Sequence, residues 1–244
     1  MFSIFKKKNK VQDIEWLSVD IHSHLLPGLD DGSPNLNEST KLIKSLTELG
    51  FSALYCTPHI FTELYPNSVD TIQPALDATK LAIKNLNINV TLGAAAEYML
   101  DDTFLITDDL LTLPGNHVLI EMSYLTESPN IEQVITDLMS NGYKVILAHP
   151  ERYLYYHSNK SRLHRFKEMG VCFQLNLLAV TGNYGKSVKA SADYLINKKL
   201  YDFASSDLHH EKHLIALSEI ILDGSLFTKL GDYPFKNKEI FLNH

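Results

Sequence analysis

The chain has 244 residues, 45% apolar and 21% charged, which suits one α/β barrel with a sizeable core and is long for a single sandwich. Its formal charge of −7 argues against a general nucleic-acid binder, which needs a basic surface to neutralise phosphates. No run of the chain approaches the roughly eighteen consecutive apolar residues of a membrane-spanning helix.

The chain starts with MFSIFKKKNK, a basic run without the apolar stretch that a secretory signal requires. It reads as a frayed, solvated terminus in preference to a basic tail for acidic lipid or a partner. Residues 1–17 are expected to form a flexible extension and residues 18–244 a single domain. Short apolar runs then alternate with helical patterns. LSVDIH comes first, followed by a helix from near Pro34 with Leu42, Ile43, Leu46 and Leu49, stopping at Gly50. FSALYC, NVTLGAAAE and HVLIEM follow, and then a helical pattern through Ile131, Val134, Ile135 and Leu138 that ends at Gly142. YKVILAH, VCFQLN, a third helix through Val188, Ala192, Leu195 and Ile196, and YDFASSD complete the series. This alternation predicts a parallel sheet with helices outside. About seven repeats, with no Gly-x-Gly-x-x-Gly after the first strand, favour a closed or distorted barrel over a dinucleotide-binding sheet. Cys56 and Cys172 sit in apolar runs and read as inert core thiols; so few cysteines suggest a reducing compartment, the cytoplasm. Neither has an arginine six positions on, where Thr62 and Leu178 stand, so a Cys-x5-Arg phosphatase loop is not expected.

Barrel enzymes carry their sites where the strands end, and the polar residues fall there. The first run ends in Asp20-Ile21-His22-Ser23-His24, whose i, i+2 imidazoles point to one side of an extended segment. The second leads to Thr57-Pro58-His59, where the proline blocks helix continuation at the strand mouth. Glu97 ends the third run, Glu121 the fourth, His149-Pro150-Glu151-Arg152 the fifth, and Asp207-Leu208-His209 the last. Histidine and carboxylate donors without cysteine suit Mn, Fe or Zn, whereas Ca and Mg prefer oxygen. Two or three such cations bind a phosphoryl oxygen and lower the pKa of a bridging water. The reaction expected is hydrolysis with hydroxide as nucleophile and no covalent enzyme intermediate. Arg152 is placed to clamp a phosphate through two parallel hydrogen bonds, the alternative being a surface salt bridge with Glu151. Of Asp30 and Asp31, one could ligate metal while the other acts as a general acid or caps the next helix. The loop Gly182–Lys186 reads as a lid whose Lys186 attracts phosphate, or as a plain connection. Tyr153, Tyr155 and Tyr156 either stack on an aromatic substrate or pack under their loop. His210, His213, His117, His157, His164 and His244 read as solvated.

The motifs DIHSHLLPGLDDG, TPH, AHPER and SSDLH resemble those of bacterial tyrosine phosphatases of the PHP (polymerase and histidinol phosphatase) superfamily, which serve capsule and exopolysaccharide synthesis. The resemblance runs from about Val19 onward, in order; LPGLDDG after His-x-His, together with HPER, separates this branch from generic PHP domains. It implies a distorted (β/α)7 barrel with a trinuclear, usually manganese-dependent site. By that resemblance, His22, His24, Glu97 and Asp207 hold one metal, and Asp31, His59 and His209 a second. Glu121 and His149 hold the third, with Glu97 as a bridge. Arg152 matches the arginine that binds substrate phosphate. Arg152 and Asp31 are the candidate catalytic residues, and Arg152 and, from its loop position, Lys186 the candidate substrate contacts. The implied substrate is phosphotyrosine in the tyrosine-rich tail of a membrane-associated autokinase. A phosphatase of a small metabolite such as histidinol phosphate is the nearest rival, and a non-catalytic metal-containing module a more distant one.

Overall fold

The seven apolar runs become the staves of a barrel. The computed structural model describes residues 11–107 and 109–242. Its strands are β1 (Val19–Asp20), β2 (Ala53–Cys56), β3 (His59–Ile60), β4 (Thr91–Ala94), β5 (Glu97–Met99), β6 (His117–Glu121), β7 (Lys144–Ala148), β8 (Cys172–Asn176) and β9 (Phe203–Ser205). All pair in parallel, in the orders β1-β2-β4 and β3-β5-β6-β7-β8-β9.

There are more strands than runs because two runs break. Thr57-Pro58 interrupts the second, where proline has no N–H to offer a ladder, and Ala95-Ala96 interrupts the third. The ladder survives both breaks: Ala95 N–H donates to Cys56 O at 2.9 Å and Glu97 N–H to Pro58 O at 3.1 Å. The first and last staves close the ring. Asp207 N–H donates to His22 O and His24 N–H to Leu208 O, each at 2.9 Å, across a parallel bridge between Ser23 and Leu208. Asp20 reinforces the seam by accepting Ser206 N–H at 3.0 Å.

The helices are α1 (Leu36–Glu48), α2 (Val69–Asn85), α3 (Ile131–Ser140), α4 (Ser161–Glu168), α5 (Lys186–Asn197), α6 (Glu211–Leu222), α7 (Ser225–Leu230) and α8 (Asn237–Phe241). The expected α1, α3 and α5 are present. Asn35 caps α1 by accepting Glu38 N–H at 3.1 Å, and the chain reverses at Gly50 with φ 111°. Strand alternation sorts the apolar residues into two cores. Val19, Ile21, Leu119, Ile146, Ala148 and Phe203 fill the barrel, with Phe241 of α8 closing one end. Leu54, Val118, Ile120, Val145, Leu147 and Leu175 join the core that includes the helices' apolar faces. The same alternation puts Glu97, Glu121, Gln174 and Asn176 on inward-facing positions near the strand ends.

Residues 11–17 do not form a flexible extension. Ile14 and Leu17 are fully buried, Ile14 N–H donates to Leu49 O at 2.9 Å, and Trp16 packs on Phe227 and Phe235. The packed chain thus starts before the expected boundary at residue 18, because these apolar side chains cover the ends of α1 and α7. Residues 1–10 and His244 lie outside the described residues. Among the described residues no helix is long and apolar enough to cross a membrane.

Candidate metal centre

Nine donors from six of the seven staves and the loop after the first converge at the strand ends. They form four overlapping groups, each with donor atoms within 4.8 Å of one another: His24/Asp31/His59/His209, His22/His24/Asp207, His22/Glu97/His149 and His59/Glu97/Glu121. Together these are the nine candidate ligands, with no addition. Glu97 is central. Its Oε2 lies 3.1 Å from both His22 Nε2 and His59 Nδ1 and 3.4 Å from His24 Nε2, while its Oε1 lies 3.1 Å from His149 Nε2. Glu121 Oε1 is 3.0 Å from His59 Nδ1, and Asp207 Oδ1 is 3.3 Å from His22 Nε2. Asp31, on the open side, places Oδ1 3.6 Å from both His59 Nε2 and His209 Nε2.

Two of the nine have left-handed backbones, His149 at φ 33° and Asp207 at φ 49°. Non-glycine residues are held there only where the surrounding structure demands it, as it does at functional sites.

A second layer orients the imidazoles. Gln174 Oε1 accepts the backbone N–H of His149 at 3.2 Å, so it is the acceptor in its 3.0 Å contact with His22 Nδ1. In its neutral, metal-binding form His22 therefore carries its proton on Nδ1 and turns the Nε2 lone pair into the cluster. Asp30 does the same for His24, accepting from Nδ1 at 2.7 Å while also taking Gly32 N–H at 2.9 Å and His59 N–H at 3.0 Å. That engagement makes Asp30 the orienting carboxylate and leaves Asp31 to face the imidazoles. Asn176 donates to Asp207 Oδ2 at 2.8 Å. Gln174 and Asn176 come from the one run without a terminal ligand, VCFQLN. Two amides at alternate positions of an otherwise apolar stave were the signal available for them.

The electrostatics fit a cation site. Burial pulls the His22 pKa down, but Glu97 and Asp207 outweigh it and lift it to about 9. Burial pushes Glu97 and Asp207 up, yet the surrounding imidazoles hold both well below the usual carboxylate range. His209, half-buried and stacked 3.9 Å from His24, is pushed down to about 4 by desolvation and by the neighbouring His24. No hydrogen bond of good geometry reaches Glu97 Oε2 or His149 Nδ1, although both are buried. Glu97 Oε2 instead faces three imidazole nitrogens within 3.4 Å, a convergence of lone pairs and negative charge that a shared cation would satisfy. Nitrogen and oxygen donors with no thiolate match a divalent transition ion.

Arg152 reaches the cluster and not Glu151. Its Nη1 donates to Asp207 Oδ2 at 2.9 Å. Glu151 is buried, accepts Asn176 N–H and the Tyr201 hydroxyl, each at 2.9 Å, and is pushed by burial to about 7. A cavity of about 340 Å³ opens over the cluster, lined by seven of the nine donors (all but His22 and His24), Arg152, Phe61, Leu64, Tyr65, Tyr124 and Tyr184.

A family profile described as "Capsular polysaccharide synthesis, CpsB/CapC" matches residues 18–215. The chain belongs to the CpsB/CapC family. It is 29% identical over 198 residues to the tyrosine-protein phosphatase YwqE of Bacillus subtilis, covering 80% of this chain and 78% of that protein. It superposes with a TM-score of 0.78, at 25% identity and 91% coverage of each chain, on a structure from the study of YwqE and of CpsB from Streptococcus pneumoniae, described as unique metal-dependent tyrosine phosphatases. An amidohydrolase from Mycoplasma synoviae, at TM-score 0.54 and 14% identity over 94% of this chain and 88% of that one, shares the fold alone.

Other residues of this CpsB/CapC member sit differently from expectation. Lys186 is exposed at the start of α5 and is not among the cavity-lining residues; Tyr184 of the same loop is. His210 caps α6, and it and His213 line the cavity, so they are not simply solvated. His117 is buried at the opposite strand ends, its Nδ1 2.7 Å from Pro114 O. Tyr153 and Tyr156 are buried, which is the packing alternative of the two open for that patch, and Cys172 is only partly buried. Tyr124 and Tyr65 had no sequence signal.

Proposed function

We propose that this chain is a metal-dependent protein-tyrosine phosphatase acting by water attack on a phosphoester. The observation that carries the reading is the set of nine donors sharing buried Glu97, with the Arg152 guanidinium on the same cavity wall. The names of the family's relatives support the substrate.

In this reading His22, His24, Glu97 and Asp207 hold one cation, Asp31, His59 and His209 a second, and Glu121 and His149 a third that shares Glu97. Manganese is the first choice, with iron or zinc as alternatives. Such cations, when bound, supply Lewis acidity towards phosphoryl oxygens and acidify water. The chain's own groups do the rest. Gln174 and Asp30 fix the imidazole lone pairs, Asp31 completes the group on the open side, and Arg152 grips phosphate oxygens with in-plane N–H groups.

A protein substrate is favoured over a metabolite by the rim. Leu64 and Tyr124, which line the cavity, are exposed at 60% and 40%, and Leu125, next to Tyr124 in the chain, at 91%. Apolar exposure of this kind around a cavity mouth marks a surface for a polypeptide. The proposed partner is the tyrosine-rich tail of a membrane-associated autokinase of polysaccharide synthesis, met in the cytoplasm. Turnover of p-nitrophenyl phosphate with added Mn²⁺, abolished by chelation, is expected. An inert, fully metal-loaded protein would refute hydrolysis. A kcat/KM higher for histidinol phosphate than for a phosphotyrosine peptide would move the substrate to the metabolite class.

A further inference from the structure

Arg152 does not hang free in the cavity. Its guanidinium carbon lies 4.7 Å from the centre of the Tyr124 ring and 4.5 Å from that of Tyr184, so the group sits between two aromatic faces. The rings come from different staves, Tyr124 after β6 and Tyr184 after β8. Each is itself fixed. The Tyr184 hydroxyl accepts from Asn176 Nδ2 at 3.1 Å, and the same amide donates to Asp207 Oδ2. Phenols of the segment after Arg152 tie down the Tyr124 loop: Tyr153 accepts Met122 N–H at 3.1 Å, Tyr155 donates to Ser123 O at 3.1 Å and Tyr156 donates to Glu127 at 2.6 Å.

A guanidinium carries its five N–H groups in its plane and its positive charge over both faces. Ring faces attract that charge without consuming an N–H. Asp207 takes one N–H, and the rest of the edge stays available on the cavity wall. An arginine held this way loses little rotamer freedom when an anion arrives.

We propose that Tyr124 and Tyr184 are positioning residues that brace Arg152 between them and thereby set the affinity of the site for the phosphoryl group. The proposal rests on the reading of the cavity as a phosphoester site, and it assigns the rings to the arginine, not to the substrate's phenyl ring.

The test uses the full-length, Mn²⁺-loaded protein and its Tyr124→Leu, Tyr184→Leu and Tyr124→Phe variants. Metal content, the Kd of inorganic phosphate by calorimetry, and KM and kcat for p-nitrophenyl phosphate are measured. Either leucine variant is expected to weaken inorganic phosphate and raise KM by about five- to thirty-fold, with kcat within threefold and metal content unchanged. Tyr124→Phe, which keeps the ring, is expected to restore both constants to within about twofold. If Tyr184→Leu fails to fold, Tyr124→Leu carries the test, since Tyr124 is already 40% exposed. Weakened aryl phosphate with unchanged inorganic phosphate would overturn the proposal and put the rings on the substrate. So would constants that do not move at all. A wild type that binds phosphate but turns nothing over, with the leucine variants still weakening that binding, would refute the hydrolase reading and leave the brace standing.

Discussion

Replacing Gln174 with leucine isolates the orienting layer, because Gln174 holds two candidate ligands and is not itself among the clustered metal donors. Its Oε1 accepts His22 Nδ1–H at 3.0 Å and His149 N–H at 3.2 Å, both buried. Leucine has similar volume and no acceptor. Each orphaned buried donor costs about 1–3 kcal/mol, so the metal-free protein is expected to lose roughly 2–6 kcal/mol in urea unfolding. His22 would also be free to carry its proton on Nε2, which is useless to a cation. Loss of such an orienting partner lowers metal affinity by about 10–100-fold, or roughly 1.4–2.8 kcal/mol. Competition titration against a chelator of known affinity, with inductively coupled plasma measurement of bound metal, reads that shift. Metal affinity within twofold of wild type in a folded variant would refute the tautomer argument.

Three further outcomes are expected. Arg152→Ala should raise KM for phosphoesters by about 10–150-fold, the worth of one charge-assisted pair of contacts, with metal content intact; loss of metal would show that its 2.9 Å bond to Asp207 is structural. Asp30→Asn should weaken metal binding by about 10–100-fold. Burial pushes Asp30 up, but the His24 hydrogen bond wins and holds it down at about 2, so its stabilisation is present above pH 3.8 and lost as pH falls through 2. Acid titration of the variant's stability should therefore be flatter across that window, and an unchanged profile would refute the assignment. Because His22 stands at about 9 in the metal-free protein, loading with Mn²⁺ at pH 7 should release protons and affinity should climb with pH towards 9. Calorimetry in two buffers of different ionisation enthalpy reads the release, and none would contradict the charge state.

Much of the fold was legible because the staves of a closed parallel barrel are short apolar runs with turn signals between them. All seven appear, and α1, α3 and α5 follow their periodic residues. What escaped has physical reasons. Helix α2 carries Pro74 in its interior, which reads as a stop, yet Ile72, Leu76, Thr79 and Ile83 are buried along it and packing overrides the lost hydrogen bond. The packed segment at Ile14 and Trp16 has no periodicity of its own, and only the three-dimensional position of α1 and α7 gives its side chains a place to go.

The site shows why two pairs that look alike in sequence behave differently. His22-Ser23-His24 stays extended, so the i, i+2 rule holds and the two Nε2 atoms lie 3.3 Å apart. Asp207-Leu208-His209 has the same spacing but begins in the left-handed region, at φ 49°, beyond the last ladder residue Ser205. Strand alternation no longer governs it. Asp207 turns Oδ1 towards His22 and His24, whereas His209 turns Nε2 towards Asp31 on the open side. Spacing alone predicts convergence of both pairs; the resemblance to PHP phosphatases implies that the second is divided between two cations, and the backbone turn at Asp207 points its two members at different neighbours. Asp207 Oδ2, facing away from the imidazoles, is thereby free to take Arg152 and Asn176. One turn at the end of the last stave thus separates the second pair and links the proposed phosphate grip to the donor cluster.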